Sequence, residues 1–134
     1  MKIIVCVDDN FGMLFNNRRQ SKDQMLLEDM MGKIEKVWIH SFSQKLLEGY
    51  EERIVVDDKF LQKAKAQDVC FVENQHLLPY LDKIEEIVLY KWNRKYPSDM
   101  KFDIDMEKWE LSKQEEFEGK SHEKITCETY IRRL

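Results

Sequence analysis

Lys2-Ile3-Ile4-Val5-Cys6-Val7, followed at once by Asp8-Asp9-Asn10-Phe11-Gly12, is the stretch on which the fold turns. Its apolar run is continuous rather than alternating. Such a run predicts a strand buried on both faces, the kind found in parallel sheets covered by helices. The Asp-Asp-Asn-Phe-Gly segment has turn chemistry, because short polar side chains bond their own backbone and glycine tolerates unusual dihedrals.

Outward from that strand, short elements alternate. Asn16 to Ser21 is polar and predicts a loop. Ser21 is placed to cap a helix beginning at Lys22, with Met25, Leu26, Met30 and Ile34 on its apolar stripe. Lys36–His40 predicts a short strand, and Ser43 the cap of a short helix through Leu47. Arg53–Val56 predicts a strand, Lys59–Ala66 a helix, Asp68–Val72 a strand, Asn74–Leu81 a helix and Ile84–Trp92 a long strand. The character then changes. Trp109–Glu118 and Lys124–Arg132 read as two strands joined by a turn at Gly119-Lys120. Alternating strands and helices ending in a hairpin predict an α/β fold. The expected sheet is mostly parallel, with short flanking helices, right-handed crossovers and an antiparallel strand at or near its edge.

Composition bounds the rest. The chain has 134 residues, 43% hydrophobic and 36% charged, with a net charge of −4. That length predicts a single domain over residues 1–134, able to bury roughly 68–70% of its unfolded surface. An acidic balance argues against a nucleic-acid or membrane-surface partner. No apolar stretch approaches the length of a membrane span, and Asp8-Asp9 interrupt the opening too early for a secretory signal. Three cysteines, Cys6, Cys70 and Cys127, are an odd number. They predict buried free thiols in a reducing, cytoplasmic setting.

Several segments together resemble dihydrofolate reductase. Ile4-Val5-Cys6-Val7-Asp8-Asp9-Asn10-Phe11-Gly12-Met13 is similar to that family's first strand running into its substrate loop, and the helix Asp23–Met31 follows at a matching distance. Asp68–Val72, the Leu77, Leu78 and Leu81 helix and Lys83–Tyr90 resemble its strand–helix–strand unit. Phe102, Trp109-Glu110-Leu111, Glu115–Gly119 and Ile125–Tyr130 resemble its closing hairpin. The resemblance implies a shortened, divergent member with one dihydrofolate-reductase-like domain. In that family a hydride passes from a nicotinamide to a pterin while a buried carboxylate supports protonation.

On this resemblance Asp23 becomes the candidate acid, with a pKa open to being raised by desolvation. An aspartate in a first helical turn equally serves the helix dipole. Cys6, Asp23, Leu27 and Tyr90 are the candidate ligand-lining residues. The family's Leu-Pro-Trp is absent before the helix; Arg18, Arg19 and Gln20 stand there, read as a solvated pair of cations beside a polar residue. The cofactor site departs further. The glycine pair that lets backbone amides approach the cofactor's phosphates is replaced by Glu73-Asn74-Gln75, where a carboxylate would repel a diphosphate. Ile39-His40-Ser41-Phe42-Ser43 lacks the glycine and cation expected after the second parallel strand, and its hydroxyls read as helix caps. Only Arg53–Val56 is a clear strand between Trp38 and Val69, so the cofactor-binding part is reduced.

Other chemistries are weaker. The opening Met1–Asp9 is also similar to small proteins labelled ribonuclease Z. That hydrolase needs a His-x-His-x-Asp-His metal cluster, whereas His40, His76 and His122 lie far apart in sequence. A Cys6 nucleophile lacks any base that the sequence places beside it.

Three functions remain open. The first is a pseudoenzyme: a dihydrofolate-reductase-like module that binds a small molecule or protein partner without hydride transfer and without a cofactor. The second is a structural protein acting as a homodimer. The third is a reductase using NADPH or a flavin in a non-standard site.

Overall fold

The computed structural model describes residues 1–133. Its centre is β1 (Lys2–Val7), hydrogen-bonded along both edges to neighbouring strands. This explains the continuous apolar run. Ile3, Val5 and Val7 point to one buried layer and Ile4 to the other, so neither face is left for water. Fully burying each of these side chains contributes roughly 1.5–3 kcal/mol.

Beyond β1 the chain forms β2 (Gly12–Phe15) and β3 (Arg18–Arg19), a hairpin where a polar loop was expected. Asn16 and Asn17 both take left-handed backbone angles, φ 53° and 58°. Two such residues in succession make the tight turn that matches strand twist, and asparagine tolerates it. Helix α1 (Gln24–Gly32) follows, then β4 (Val37–Ile39), β5 (Ile54–Val56), α2 (Phe60–Lys63) and β6 (Val69–Phe71). The last part holds β7 (Glu86–Lys91), β8 (Met100–Lys101), β9 (Trp109–Phe117) and β10 (Ile125–Arg132).

The main sheet runs β5-β4-β6-β1-β7-β10-β9. All its pairings are parallel except the two made by β10. β2, β3 and β8 form a small second sheet beside it. The expected mostly parallel α/β architecture with a closing hairpin is present. One layer packs Phe60, Leu61, Leu77 and Trp109 against β1; the other packs α1, through Leu26, Leu27, Met30 and Met31.

Several local expectations shift. Asp23, not Ser21, caps α1, because its carboxylate accepts the Met25 N–H and Ser21 Oγ is turned elsewhere. Ile34 lies past the helix end. His40, not Ser43, caps a 3-10 turn over Ser41–Ser43, its Nδ1 accepting the Phe42 N–H. The predicted Lys59–Ala66 helix is the single turn of α2, since Ala64 is already extended. The predicted Asn74–Leu81 helix is a 3-10 helix over Leu78–Lys83, displaced to where Pro79 can occupy its first turn. No helix is long and apolar enough to cross a membrane.

Candidate functional site

A narrow cleft opens between α1, the carboxyl end of β1 and the turn after β6. Cys6, Leu27 and Asp23 line it, with Arg19, Gln20, Ser21 and Glu73 at its polar side and Trp92 across from them. Its free interior is about 20 Å³, the space of one water. A wider groove of about 440 Å³ adjoins it and shares Arg19 and Gln20.

Tyr90 is brought to the same sheet face but not to the cleft wall. It pairs with Cys6 in register, is buried, and its hydroxyl donates to Asp29 Oδ2 at 2.7 Å beneath α1. Asp29 also meets Lys33 at 2.9 Å. Burial, with the Asp29 carboxylate next to it, pushes the Tyr90 phenol well above its usual range. Cys6 is likewise pushed up by burial and then by the Glu73 charge, so its sulfur stays a thiol. Neither is poised for proton chemistry.

Asp23 is buried and fully occupied. Its Oδ1 accepts the N–H groups of Met25 and Lys120, both at 2.9 Å. Its Oδ2 accepts the Ser121 N–H at 2.8 Å, Ser121 Oγ at 3.1 Å and His122 Nδ1 at 2.9 Å. Burial raises its pKa, as the sequence suggested, but the amide of Lys120, the imidazole of His122 and the amides of Ser121 and Met25 outweigh that. The net direction is well below the usual carboxylate range. A carboxyl held ionised there does not serve as an acid. Gly119 permits the arrangement, since a Cβ on it would lie 2.7 Å from Asp23 Oδ2.

Arg19 is not solvated. It forms a two-pronged pair with Glu73 at 2.8 Å on each arm, and Ser43 Oγ donates to the same carboxylate at 2.7 Å. Glu73 is therefore neutralised locally. After β4, the Ser41 N–H donates to Asp58 Oδ1 and the Phe42 N–H to His40 Nδ1. After β6, the Leu77 and Leu78 N–H groups donate to the two oxygens of Asp103, at 2.8 and 3.1 Å. Asn74 and Gln75 contact each other at 3.4 Å, and no residue from 72 to 76 has a positive φ. The turn after β4 is thus occupied by the chain's own side chains, as are the Leu77 and Leu78 amides beyond the turn after β6, whereas the N–H groups of Asn74, Gln75 and His76 donate to no protein acceptor among the described residues.

Sequence reasoning missed two parts of the site. His122 is almost wholly buried, stacked on Trp92 at 4.7 Å between ring centroids, with Nε2 3.1 Å from both Ser21 Oγ and Tyr96 OH. Asp8 accepts the N–H groups of Asn10, Gly12 and Tyr96, tying the start of β2 to the 93–99 loop. Its oxygen-rich turn sequence was the available signal; His122 had none. Among the described residues, no group of three His, Cys, Asp or Glu side chains could hold a metal ion.

No family model matches the sequence, and no curated protein does. Among solved structures the chain is similar to dihydrofolate reductase from Enterococcus faecalis complexed with NADP(H) and RAB-propyl. The TM-score is 0.71, covering 99% of this chain and 96% of that one, at 13% sequence identity. A likeness at that identity concerns architecture, and with the strand order and closing hairpin described above it establishes that this chain has the dihydrofolate-reductase-like fold.

Proposed function

We propose that this protein uses a dihydrofolate-reductase-like body to bind a small molecule in the cleft beside α1 and does not transfer hydride from a nicotinamide. One observation carries the reading: the amides of Ser41, Leu77 and Leu78, at the turns after β4 and β6, are closed by Asp58 and Asp103. A dinucleotide's diphosphate would have to displace two carboxylates to reach them, and backbone amides are what such a group needs. The Glu73–His76 turn has unpartnered amides but neither a glycine nor a positive φ to bring them against a diphosphate, so the residues present do not fit the NADP(H) that the Enterococcus faecalis enzyme binds. The occupied state of Asp23 supports the same reading, since a pterin would find no free acid there.

The ligand class follows from Gln20. Its Oε1 is buried without a hydrogen-bond partner where the cleft meets the groove, while its Nε2 donates to Pro97 O at 3.3 Å. An unmet buried acceptor costs about 1–3 kcal/mol, and a ligand N–H or O–H offsets it. The cleft itself has room for one water, but the adjoining groove of about 440 Å³ shares Gln20 and is lined by Phe15, Tyr96 and Pro97, so a small flat molecule seated there with a donor edge at the cleft mouth fits. The homodimer reading has less support. The free edge of β9 carries Glu110, Lys113, Glu115 and Glu116, charges of the kind that block edge-to-edge pairing.

The test is a thermal-shift panel of pterins, nucleobases, nicotinamides and dinucleotides, with an NADPH-dependent dihydrofolate reduction assay alongside. We expect a donor-bearing heterocycle to raise the melting temperature, Gln20→Leu to abolish that shift, and no reductase turnover. NADPH-dependent reduction would overturn the proposal.

A further inference from the structure

Ser21, His122 and Asp23 meet in a serine–histidine–carboxylate order that the ligand reading does not use. Ser21 Oγ lies 3.1 Å from His122 Nε2, and His122 Nδ1 lies 2.9 Å from Asp23 Oδ2. We propose that this trio is an acyl-transfer site, with Ser21 as nucleophile, His122 as its base and Asp23 as the carboxylate that positions the imidazole.

The chemistry of each contact fixes its role. Asp23 is ionised and only accepts, so the proton on the ring resides at Nδ1 and Nε2 is left as an acceptor. That is the tautomer a base needs to take a hydroxyl proton. The ring cannot swing away. Trp92 stacks on one face, and Ser121 Oγ lies 3.2 Å from Nδ1. Gly119 lets the loop close on Asp23. Tyr96 OH shares Nε2 with Ser21, which adds a second hydroxyl but no competing charge. Ser21 is half-buried on the cleft wall, whereas the side chains of His122 and Asp23 are 2% and 0% exposed. A nucleophile reachable from a cleft, backed by a buried base and carboxylate, is the layout that acyl transfer requires. The N–H groups of Lys22 and Asp23, just ahead of α1, donate to no protein acceptor among the described residues. They are the unpartnered amides next to Ser21 in the chain, free to donate to a developing oxyanion.

The substrate class is an activated ester with a short acyl chain, because the cleft beside Ser21 is narrow and walled by Leu27 and Leu46. Ser21 Oγ forms a bond to the carbonyl carbon while its proton passes to Nε2. The bond to the leaving oxygen then breaks, and that oxygen takes the proton from the imidazolium. Water repeats the sequence on the acyl-serine, giving the carboxylic acid and free Ser21. Nothing is oxidised or reduced. Cys6 takes no part, since burial and the Glu73 charge keep its sulfur a thiol.

The experiment treats the folded protein with an alkyl fluorophosphonate, which a nucleophilic serine attacks at phosphorus with loss of fluoride, and maps adducts by peptide mass spectrometry. Hydrolysis of p-nitrophenyl acetate is followed in parallel. We expect one adduct, on Ser21, formed at least about 10²-fold faster than on the exposed Ser112, a serine without a base. Ser21→Ala, whose melting temperature is checked alongside, loses both the adduct and the esterase rate. A native-melting wild type that shows no adduct on Ser21, or one no faster than on Ser112, overturns the proposal. So does an esterase rate unchanged in Ser21→Ala. The mapping on wild type needs no variant to fold, and the outcome is independent of whether the thermal-shift panel finds a ligand.

Discussion

The turns after β4 and β6 and the rim of the cleft at α1 solve the same problem with different residues left over. In each, backbone N–H groups without a secondary-structure partner are satisfied by an aspartate from elsewhere in the chain. Asp58 and Asp103 do this at the sheet turns, and the amides they occupy have nothing further to offer a ligand. Asp23 does it at α1 for Met25, Lys120 and Ser121, but it also holds His122, and through His122 reaches Ser21. A satisfied loop is therefore chemically silent when the carboxylate ends the network. It carries chemistry when the network continues to a hydroxyl facing the cleft.

The largest test of that contrast is Asp23→Ala. It strands three amides and a buried imidazole, and the expected loss is about 3–5 kcal/mol in denaturant unfolding. A loss under about 1 kcal/mol would mean that the rim is not held by this carboxylate. The pH dependence follows from the sign of its shift. Its folded pKa is lowered, so the unfolded chain binds the proton more readily, and the stabilisation is complete above the unfolded value of about 4. It is lost as pH falls below that. The melting-temperature gap between wild type and Asp23→Asn is expected to be widest near neutral pH and to close on acidification. A gap constant down to pH 2 would contradict the assignment.

Gly119→Ala comes next. Its Cβ would meet Asp23 Oδ2 at 2.7 Å and the His122 carbonyl at 2.9 Å. A cost of about 1–3 kcal/mol is expected from calorimetry. Gly32→Ala, with nothing within 4 Å of the added Cβ, is the control and should cost little. Asp103→Ala strands two amides at a half-open turn and is expected to cost about 1–2 kcal/mol, without any change in Ser21 labelling. Tyr90→Phe is the smallest, about 1 kcal/mol, because it removes one bond to an aspartate that keeps Lys33. Ligand-induced thermal shifts should be unchanged in that variant, as Tyr90 is off the cleft wall.

The sheet was readable because its signal is local. β1 shows five apolar residues in a row, Ile3–Val7, and β9 and β10 are long and separated by one polar loop containing Gly119. Short elements were less readable, since a single helical turn such as α2 has little propensity behind it and is fixed by packing. The β2–β3 hairpin had a weak signal in Asn16-Asn17, since asparagine tolerates left-handed angles better than most residues although the pair lacks the usual glycine. The cleft was half readable. Cys6, Asp23 and Leu27 came from the resemblance to dihydrofolate reductase, and the cleft at the end of β1 and the start of α1 does bring them together. The state of Asp23 does not follow from that resemblance, because it is decided by Lys120, Ser121 and His122, nearly a hundred residues away. Tyr90 shares a register line with Cys6, yet its long side chain passes the cleft and ends at Asp29. Arg19 looked like one of two free cations until the fold brought Glu73 to it.

The most direct measurement is equilibrium dialysis of NADPH at millimolar concentration against the folded wild-type protein. The account predicts no saturable uptake, because the Ser41, Leu77 and Leu78 amides already hold Asp58 and Asp103 and the Glu73–His76 turn lacks the glycines that would bring its amides against a diphosphate. Stoichiometric, saturable binding that inorganic diphosphate displaces would contradict it.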